Sequence, residues 1–185
     1  MGAFPRTDRL LTYADYRSWE LAEGERYEVI FGEAFAMSAP SERHQSILVE
    51  LFGRFDACLK GKVFPAPHVL RPFYREDGGD DTIVQPDITV ALDEEKHGEE
   101  GCRGVPDLVI EILTPFNTAI EMQRKFALYQ RVGIPEYWIV DPESRELTMY
   151  SFGERTVFQI FRDGDTVMSK ALAEVRIVLD RIFDL

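Results

Sequence analysis

Leu108-Val109-Ile110-Glu111-Ile112-Leu113 is a continuous apolar run with one carboxylate inside it. Leucine and β-branched residues at consecutive positions read as a short strand covered on both faces. Burying an unpaired carboxylate there costs several kcal/mol, so Glu111 is expected to be paired, protonated or metal-bound. The competing reading places Glu111 at a frayed strand end that reaches water, and Thr114-Pro115 just after it leaves that open. Downstream, Thr118 and Glu121 form a capping box that opens a helix to about Val132, with Gly133 as its C-cap. Strands are expected at Tyr137–Val140, Glu146–Ser151 and Thr156–Phe161, with turns at Asp141-Pro142, Gly153 and Asp163-Gly164. Glu174–Leu185 alternates well enough for one more.

Upstream of the run, Thr12 and Asp15 form another capping box, predicting a helix to about Ala22 that Gly24 ends. Tyr27–Phe31 and Ala34–Met37 flank Gly32-Glu33 as a tight β-hairpin. Ser41 is the N-cap of a helix whose apolar residues Ile47, Leu48, Leu51, Phe52, Phe55 and Leu59 keep the helical period, and Gly61 closes it. Val63–Phe73 and Ile83–Leu92 read as extended, separated by a turn at Gly78-Gly79. This order predicts one α/β or mixed α+β domain over residues 1–185, a central mixed sheet flanked by helices, with residues 1–11 as a flexible tail.

The 185 residues carry 33 acidic and 21 basic side chains, a formal charge of −12, and 45% are hydrophobic. That content supports a single packed core and excludes disorder as a description of the whole. No apolar run approaches a bilayer span, and the opening MGAFPRTDRLLTYADY has neither an h-region nor a myristoylation pattern. Cys58 and Cys102 are too few for a disulfide framework, so a reducing cytoplasm is the expected compartment. The charge is uneven: residues 75–103 carry a net −7 and residues 41–75 a net +3. The acidic total argues against a phosphate-rich partner without excluding one.

Five residues stand out as chemical candidates. Asp87, in Ile83-Val84-Gln85-Pro86-Asp87-Ile88-Thr89-Val90, sits where Pro86 confines the chain to a strand start, edge or bulge. With Glu111 it offers carboxylates from two strands of one small sheet, a pair suited to Mg²⁺, with Mn²⁺ as a substitute. Lys125 lies two turns into the helix after Thr118. It either returns toward Glu111 or forms a surface pair with Glu121, and spacing alone leaves the two readings even. His44, in the first turn of the Ser41 helix, lies on the stripe shared with Leu48, Leu51 and Phe55. Glu28 alternates with apolar neighbours in the hairpin, which is ordinary on a half-exposed strand, and an inward first-turn histidine such as His44 is more often a packing residue than a ligand. The sequence has no Walker loop, no GxGxxG after a strand, no GxSxG elbow and no HExxH.

An ordered series of motifs then runs along the chain. Arg26-Tyr27-Glu28-Val29-Ile30 and Gly32-Glu33 come first, then Pro40-Ser41 with His44, then Gln85-Pro86-Asp87-Ile88. Gly104-Val105-Pro106-Asp107 leads into the Glu111 run and Thr114-Pro115, followed by Lys125 with Tyr129 and by Gly133-Ile134-Pro135-Glu136-Tyr137-Trp138 and Ile139-Val140-Asp141-Pro142. Together these resemble the Uma-type group of bacterial restriction-endonuclease-like proteins within the PD-(D/E)XK nuclease superfamily. The resemblance implies a restriction-endonuclease-like core in which Asp87 and Glu111 hold the metal and the backbone carbonyl of Ile112 adds a ligand. The superfamily's lysine two residues after the acid is Leu113 here, and the resemblance implies that Lys125 replaces it. Glu121 stands where the group usually has Asp. Glu28 and His44 match group positions and are expected to line the site.

The function expected on these grounds is Mg²⁺-dependent hydrolysis of phosphodiester bonds in DNA, by a protein with no membrane association. The rival is a nuclease-like fold that binds or assembles without cleaving, which the acidic charge and Leu113 favour. Tyr150, Phe152, Phe158 and Phe161 are expected in the core, or else on an interaction face such as that of a homodimer.

Overall fold

The computed structural model describes residues 9–180 and 182–184. In chain order the elements are α1 (Tyr13–Arg17), β1 (Tyr27–Ile30), β2 (Glu33–Ala36), α2 (Glu42–Leu59), β3 (Val63–Pro65), β4 (Leu70–Arg71) and β5 (Ile88–Val90). A 3-10 turn at Glu94–Lys96 precedes β6 (His97–Gly98), β7 (Gly101–Arg103), β8 (Leu108–Ile112), α3 (Ala119–Val132) and β9 (Glu136–Asp141). The chain continues with β10 (Glu146–Ser151), β11 (Val157–Arg162), β12 (Thr166–Met168) and β13 (Arg176–Val178). Among the described residues no helix is long and apolar enough to cross a membrane.

The central sheet has six strands in the order β11-β10-β9-β8-β5-β3. Only β8 and β9 run parallel, and α3 is the crossover between them; the other neighbours are antiparallel. It is the mixed sheet that the order of elements predicts. Both faces of β8 are covered, which explains why every one of its residues except Glu111 is apolar. Leu108, Ile110 and Ile112 pack with Ile47, Leu51 and Phe55 of α2, joined by Val175, Ile177 and Leu179 from the C-terminal segment. Val109 faces the other way, toward Leu128 and Tyr129 of α3 and Tyr137 of β9. Each such aliphatic side chain contributes about 1.5–3 kcal/mol on burial, which anchors both helices to the sheet.

Local signals hold at the helix ends. Ser41 accepts from the His44 N–H, Thr118 and Glu121 cap α3 reciprocally, and Gly133 adopts the left-handed conformation at its C-terminus. Elsewhere the boundaries differ. The Thr12 capping box is present, but α1 stops at Arg17 because it buries only Tyr13 and has no further face to pack. The hairpin turn is Phe31-Gly32, one residue earlier than expected, and both residues have positive φ as a type I′ turn requires. A side chain at Gly32 would also bring its Cβ to 2.5 Å from that of Leu10. The expected extended segment Val63–Phe73 breaks into β3 and β4, since Pro65 and Pro67 cannot donate to a ladder. Of the last expected strand, β13 is the regular part, and Leu185 lies outside the described residues.

Residues 1–8 of the expected tail also lie outside the described residues. Leu11, at the end of that range, is not tail-like: it is buried, and its N–H donates to the Gly32 carbonyl. Phe158 is 60% exposed on the outer strand β11, against the core placement expected for it. A sheet edge offers packing on too few sides to bury a large ring.

Glu136 is a buried carboxylate that the sequence did not single out. One oxygen accepts from the Trp138 indole at 2.6 Å, and the other accepts the backbone N–H groups of Lys170 at 2.7 Å and Ala171 at 3.0 Å. It ties the chain before β13 to the central sheet. Removing it orphans the buried Trp138 indole N–H and two part-buried backbone N–H groups, so Glu136→Ala is expected to cost about 3 kcal/mol and to lower the melting temperature by about 10 °C. Thermal denaturation followed by circular dichroism checks this, and an unchanged melting temperature would refute the staple.

Candidate active site

Glu111 points to the α3 side of the sheet, on the same face of β8 as Val109. Lys125 and Tyr129, four residues apart on α3, present side chains to one face of that helix and meet it there. The Lys125 ammonium lies 3.0 and 3.1 Å from the two Glu111 oxygens, and the Tyr129 hydroxyl donates to Glu111 Oε1 at 2.7 Å. From β1, Glu28 Oε2 reaches the same ammonium at 3.1 Å. Lys125 is 3% exposed and Glu111 6%, so neither the frayed-end reading of Glu111 nor the surface-pair reading of Lys125 describes the molecule. Glu121 instead accepts from Asn117 and completes the α3 cap.

Asp87 lies one residue before β5. The β5–β8 register sets Ile88 opposite Ile110, and continuing it by one residue sets Asp87 across from Glu111. Asp87 Oδ2 accepts the Ile112 N–H at 2.7 Å, and Oδ1 lies 3.1 Å from Nε2 of His44 in the first turn of α2. Asp87 therefore meets Ile112 at its N–H, while the group expected to ligate a metal there is its carbonyl. A strand residue's N–H and C=O point to the same side, so the Ile112 carbonyl faces the Asp87 edge as well. Glu28 Oε1 accepts the Gln85 N–H at 2.8 Å, which ties the hairpin to the segment carrying Asp87. The Gln85 amide nitrogen in turn donates to the Tyr16 hydroxyl at 2.8 Å.

All five candidate side chains thus converge on one end of the β5–β8 pair. Sequence reading missed Tyr129 and Gln85 as partners. The four-residue step from Lys125 was a usable signal for Tyr129, whereas nothing local marked the backbone N–H of Gln85. With every acid ionised and His44 neutral, three carboxylates face one ammonium and the cluster is negative. Burial raises the Glu111 carboxyl above its ordinary value, and Asp87 and Glu28 push it the same way against Lys125. Burial opposes the charge on Lys125, yet Glu111 and Glu28 outweigh it and hold the ammonium firmly protonated. Tyr129 is raised well above its ordinary value by burial and by Glu111, so it stays a hydrogen-bond donor.

A cleft of about 540 Å³ lies at the end of β8, between Ser41 and Arg43 at the start of α2, the chain from Leu113 to Asn117, and Asp141–Glu143 after β9. None of the five candidate side chains lines it, but Arg43 precedes His44 and Leu113 lies two residues after Glu111. A second hollow, of about 520 Å³, lies at the other end of α2 near Cys58 and Leu172 and likewise contains none of the candidate residues.

The ammonium is what makes burial of Glu28 and Glu111 tolerable. Lys125→Met is expected to lower stability by about 3–5 kcal/mol at about pH 9. The deficit should shrink toward about pH 7, because the Glu111 carboxyl, raised to about 8 even beside Lys125, takes up a proton as pH falls through that value and then no longer needs its partner. Denaturant melts of both proteins across this range provide the check; a pH-independent deficit would contradict the charge argument.

Known proteins share this arrangement of chain. An uncharacterised protein of Synechocystis sp. (strain ATCC 27184 / PCC 6803 / Kazusa) is 26% identical over 182 residues, covering 93% of this chain and 86% of that protein. A crystal structure from Anabaena variabilis ATCC 29413, described as "a putative nuclease belonging to DUF820", matches with a TM-score of 0.70 at 18% identity, covering 94% of this chain and 98% of the other. That likeness establishes a shared mixed-sheet fold. The model of the Uma2 family, described as "Putative restriction endonuclease", matches residues 13–180, from the first residue of α1 to beyond β13, and the chain belongs to that family.

Proposed function

We propose that this protein is a metal-dependent endonuclease that hydrolyses phosphodiester bonds in DNA. Membership of the Uma2 family supports the nuclease class. The observation that carries the residue assignment is the Lys125 ammonium at 3.0 Å from Glu111, with Asp87 across the ladder from that acid. Leu113 occupies the strand position where a superfamily nuclease has its lysine, and α3 supplies the amine instead.

The donors fit a hard divalent cation. Asp87 and Glu111 offer carboxylate oxygens and Ile112 a carbonyl at the same strand end, a set matched to Mg²⁺ or Mn²⁺. Among the described residues no group of three or more His, Cys, Asp or Glu forms a ready-made cage, so an ion held here would have to keep several of its waters. When bound, such an ion supplies Lewis-acid polarisation of a phosphoryl oxygen and lowers the pKa of water. Protonated Lys125 donates hydrogen bonds where negative charge builds on the phosphoryl group. Glu28 and Tyr129 fix Lys125 and Glu111 against each other, and His44 orients Asp87.

Cleavage of single- and double-stranded DNA with Mg²⁺ or Mn²⁺ tests this reading. Asp87→Ala, Glu111→Ala and Lys125→Ala are each expected to lower the rate by about 100-fold or more. Wild-type activity in Glu111→Ala would remove the mechanism. One observation favours a second reading, a scaffold that binds without cleaving: both Glu111 oxygens already contact Lys125. A chain that cleaves neither substrate with either metal selects that reading.

A homodimer is part of the proposal. β11 forms one edge of the six-stranded sheet and exposes Val157, Phe158 and Ile160, and pairing two such edges would cover them. Light scattering is expected to give twice the chain mass for the wild type and a monomer for Phe158→Lys; a wild-type monomer would exclude the dimer.

A further inference from the structure

We propose that the cleft beside the candidate site takes single-stranded DNA, with one base stacked on Phe116, and that an intact duplex is a poor ligand. This rests on the nuclease reading and names the substrate class of the same site.

Access comes first. Glu28, His44, Glu111 and Lys125 are all buried, and the Asp87 side chain is 14% exposed, which makes it the most open member. A phosphodiester that reaches these groups must enter a recess rather than lie on a surface. The cleft at the end of β8, lined by Arg43 next to His44 and by Leu113 two residues after Glu111, has about 540 Å³, within the range of small-molecule sites, and accommodates a nucleotide or two. The strand must therefore leave its helical stack, which a single strand does freely and a duplex does only after unpairing.

Charge points the same way. Duplex binding draws on several Lys or Arg contacts to closely spaced phosphates. Among the residues lining this cleft the only basic one is Arg43, and the acidic Asp141 and Glu143 line it too. The chain as a whole carries −12. Single strands have a weaker counterion term, so more of their affinity can come from stacking. Phe116 supplies the platform. It lines the cleft three residues after Leu113 and is 69% exposed, so its ring face is open to a stacking partner. Aromatic stacking is indifferent to base identity, so the cleft selects for strandedness rather than sequence.

Fluorescence anisotropy at low salt tests this with the full chain, a labelled oligothymidylate of about twelve nucleotides and a duplex of the same length, with Ca²⁺ replacing Mg²⁺ to suppress cleavage. The single strand is expected to bind about tenfold tighter than the duplex, Phe116→Ala to lose about tenfold of that affinity, and Phe116→Trp to retain it. Equal or tighter duplex binding, no binding of the oligothymidylate, or unchanged affinity in Phe116→Ala each overturn the inference. Cleavage of the same oligonucleotide in Mg²⁺ is scored separately. Strand-selective binding without cleavage bears out the cleft and refutes the nuclease reading, whereas cleavage without strand preference does the reverse.

Discussion

The Lys125 ammonium, held between Glu28 and Glu111, is the interaction on which the rest of the site depends. Its three parts come from three separate pieces of chain: a hairpin, the central strand β8 and the crossover helix α3. None of the three charges is stable in that interior alone, because desolvation of a lone ion exceeds anything its apolar surroundings return. The sheet, the helix and the hairpin must therefore assemble together for any of them to be buried. Negative charge remains in excess once they have done so. Asp87 adds a further carboxylate across the ladder from Glu111, and the surplus can be met by protons or by a divalent cation.

The surrounding architecture follows from keeping that cluster dry on two sides and open at one end. α2 seals one face of the sheet through Ile47, Leu51 and Phe55, while α3 seals the other through Leu128 and Tyr129. The open end is where β8 gives way to Leu113-Thr114-Pro115 and where α2 begins at Ser41. The same helix turn that Ser41 caps delivers His44 to Asp87, so one local capping event fixes both the helix start and a partner in the site. Glu136 shows the same logic without any catalytic role: a carboxylate is tolerated in the interior because three donors surround it.

What the sequence made legible was whatever depends on near neighbours in the chain. The all-apolar run around Glu111, the Ser41 and Thr118 caps and the Gly133 terminus each carry their cause within a few residues. The turn at Phe31-Gly32 was displaced because non-glycine Phe31 adopts positive φ, a choice enforced by docking of the hairpin rather than by its own composition. The two alternatives for Lys125 could not be separated from spacing, since Glu121 four residues earlier is an equally good partner on an isolated helix. Packing of α3 onto the sheet decides between them, and that packing is a tertiary fact. Likewise, Gln85 joins the network through its backbone N–H, which no residue identity advertises, and the opposition of Asp87 and Glu111 is a matter of strand register. The motif series supplied by family resemblance named Glu28 and His44 as candidates, whereas residue-by-residue reasoning favoured ordinary packing and half-exposed strand roles.

The central claim is that this cluster is built to receive a hard divalent cation at Asp87 and Glu111. Isothermal titration calorimetry of Mg²⁺ into the wild type and into Asp87→Asn addresses it most directly, because the variant keeps the size of the side chain while removing its charge. The account predicts saturable binding to the wild type that Asp87→Asn abolishes. No binding to the wild type, or undiminished binding to the variant, would contradict it.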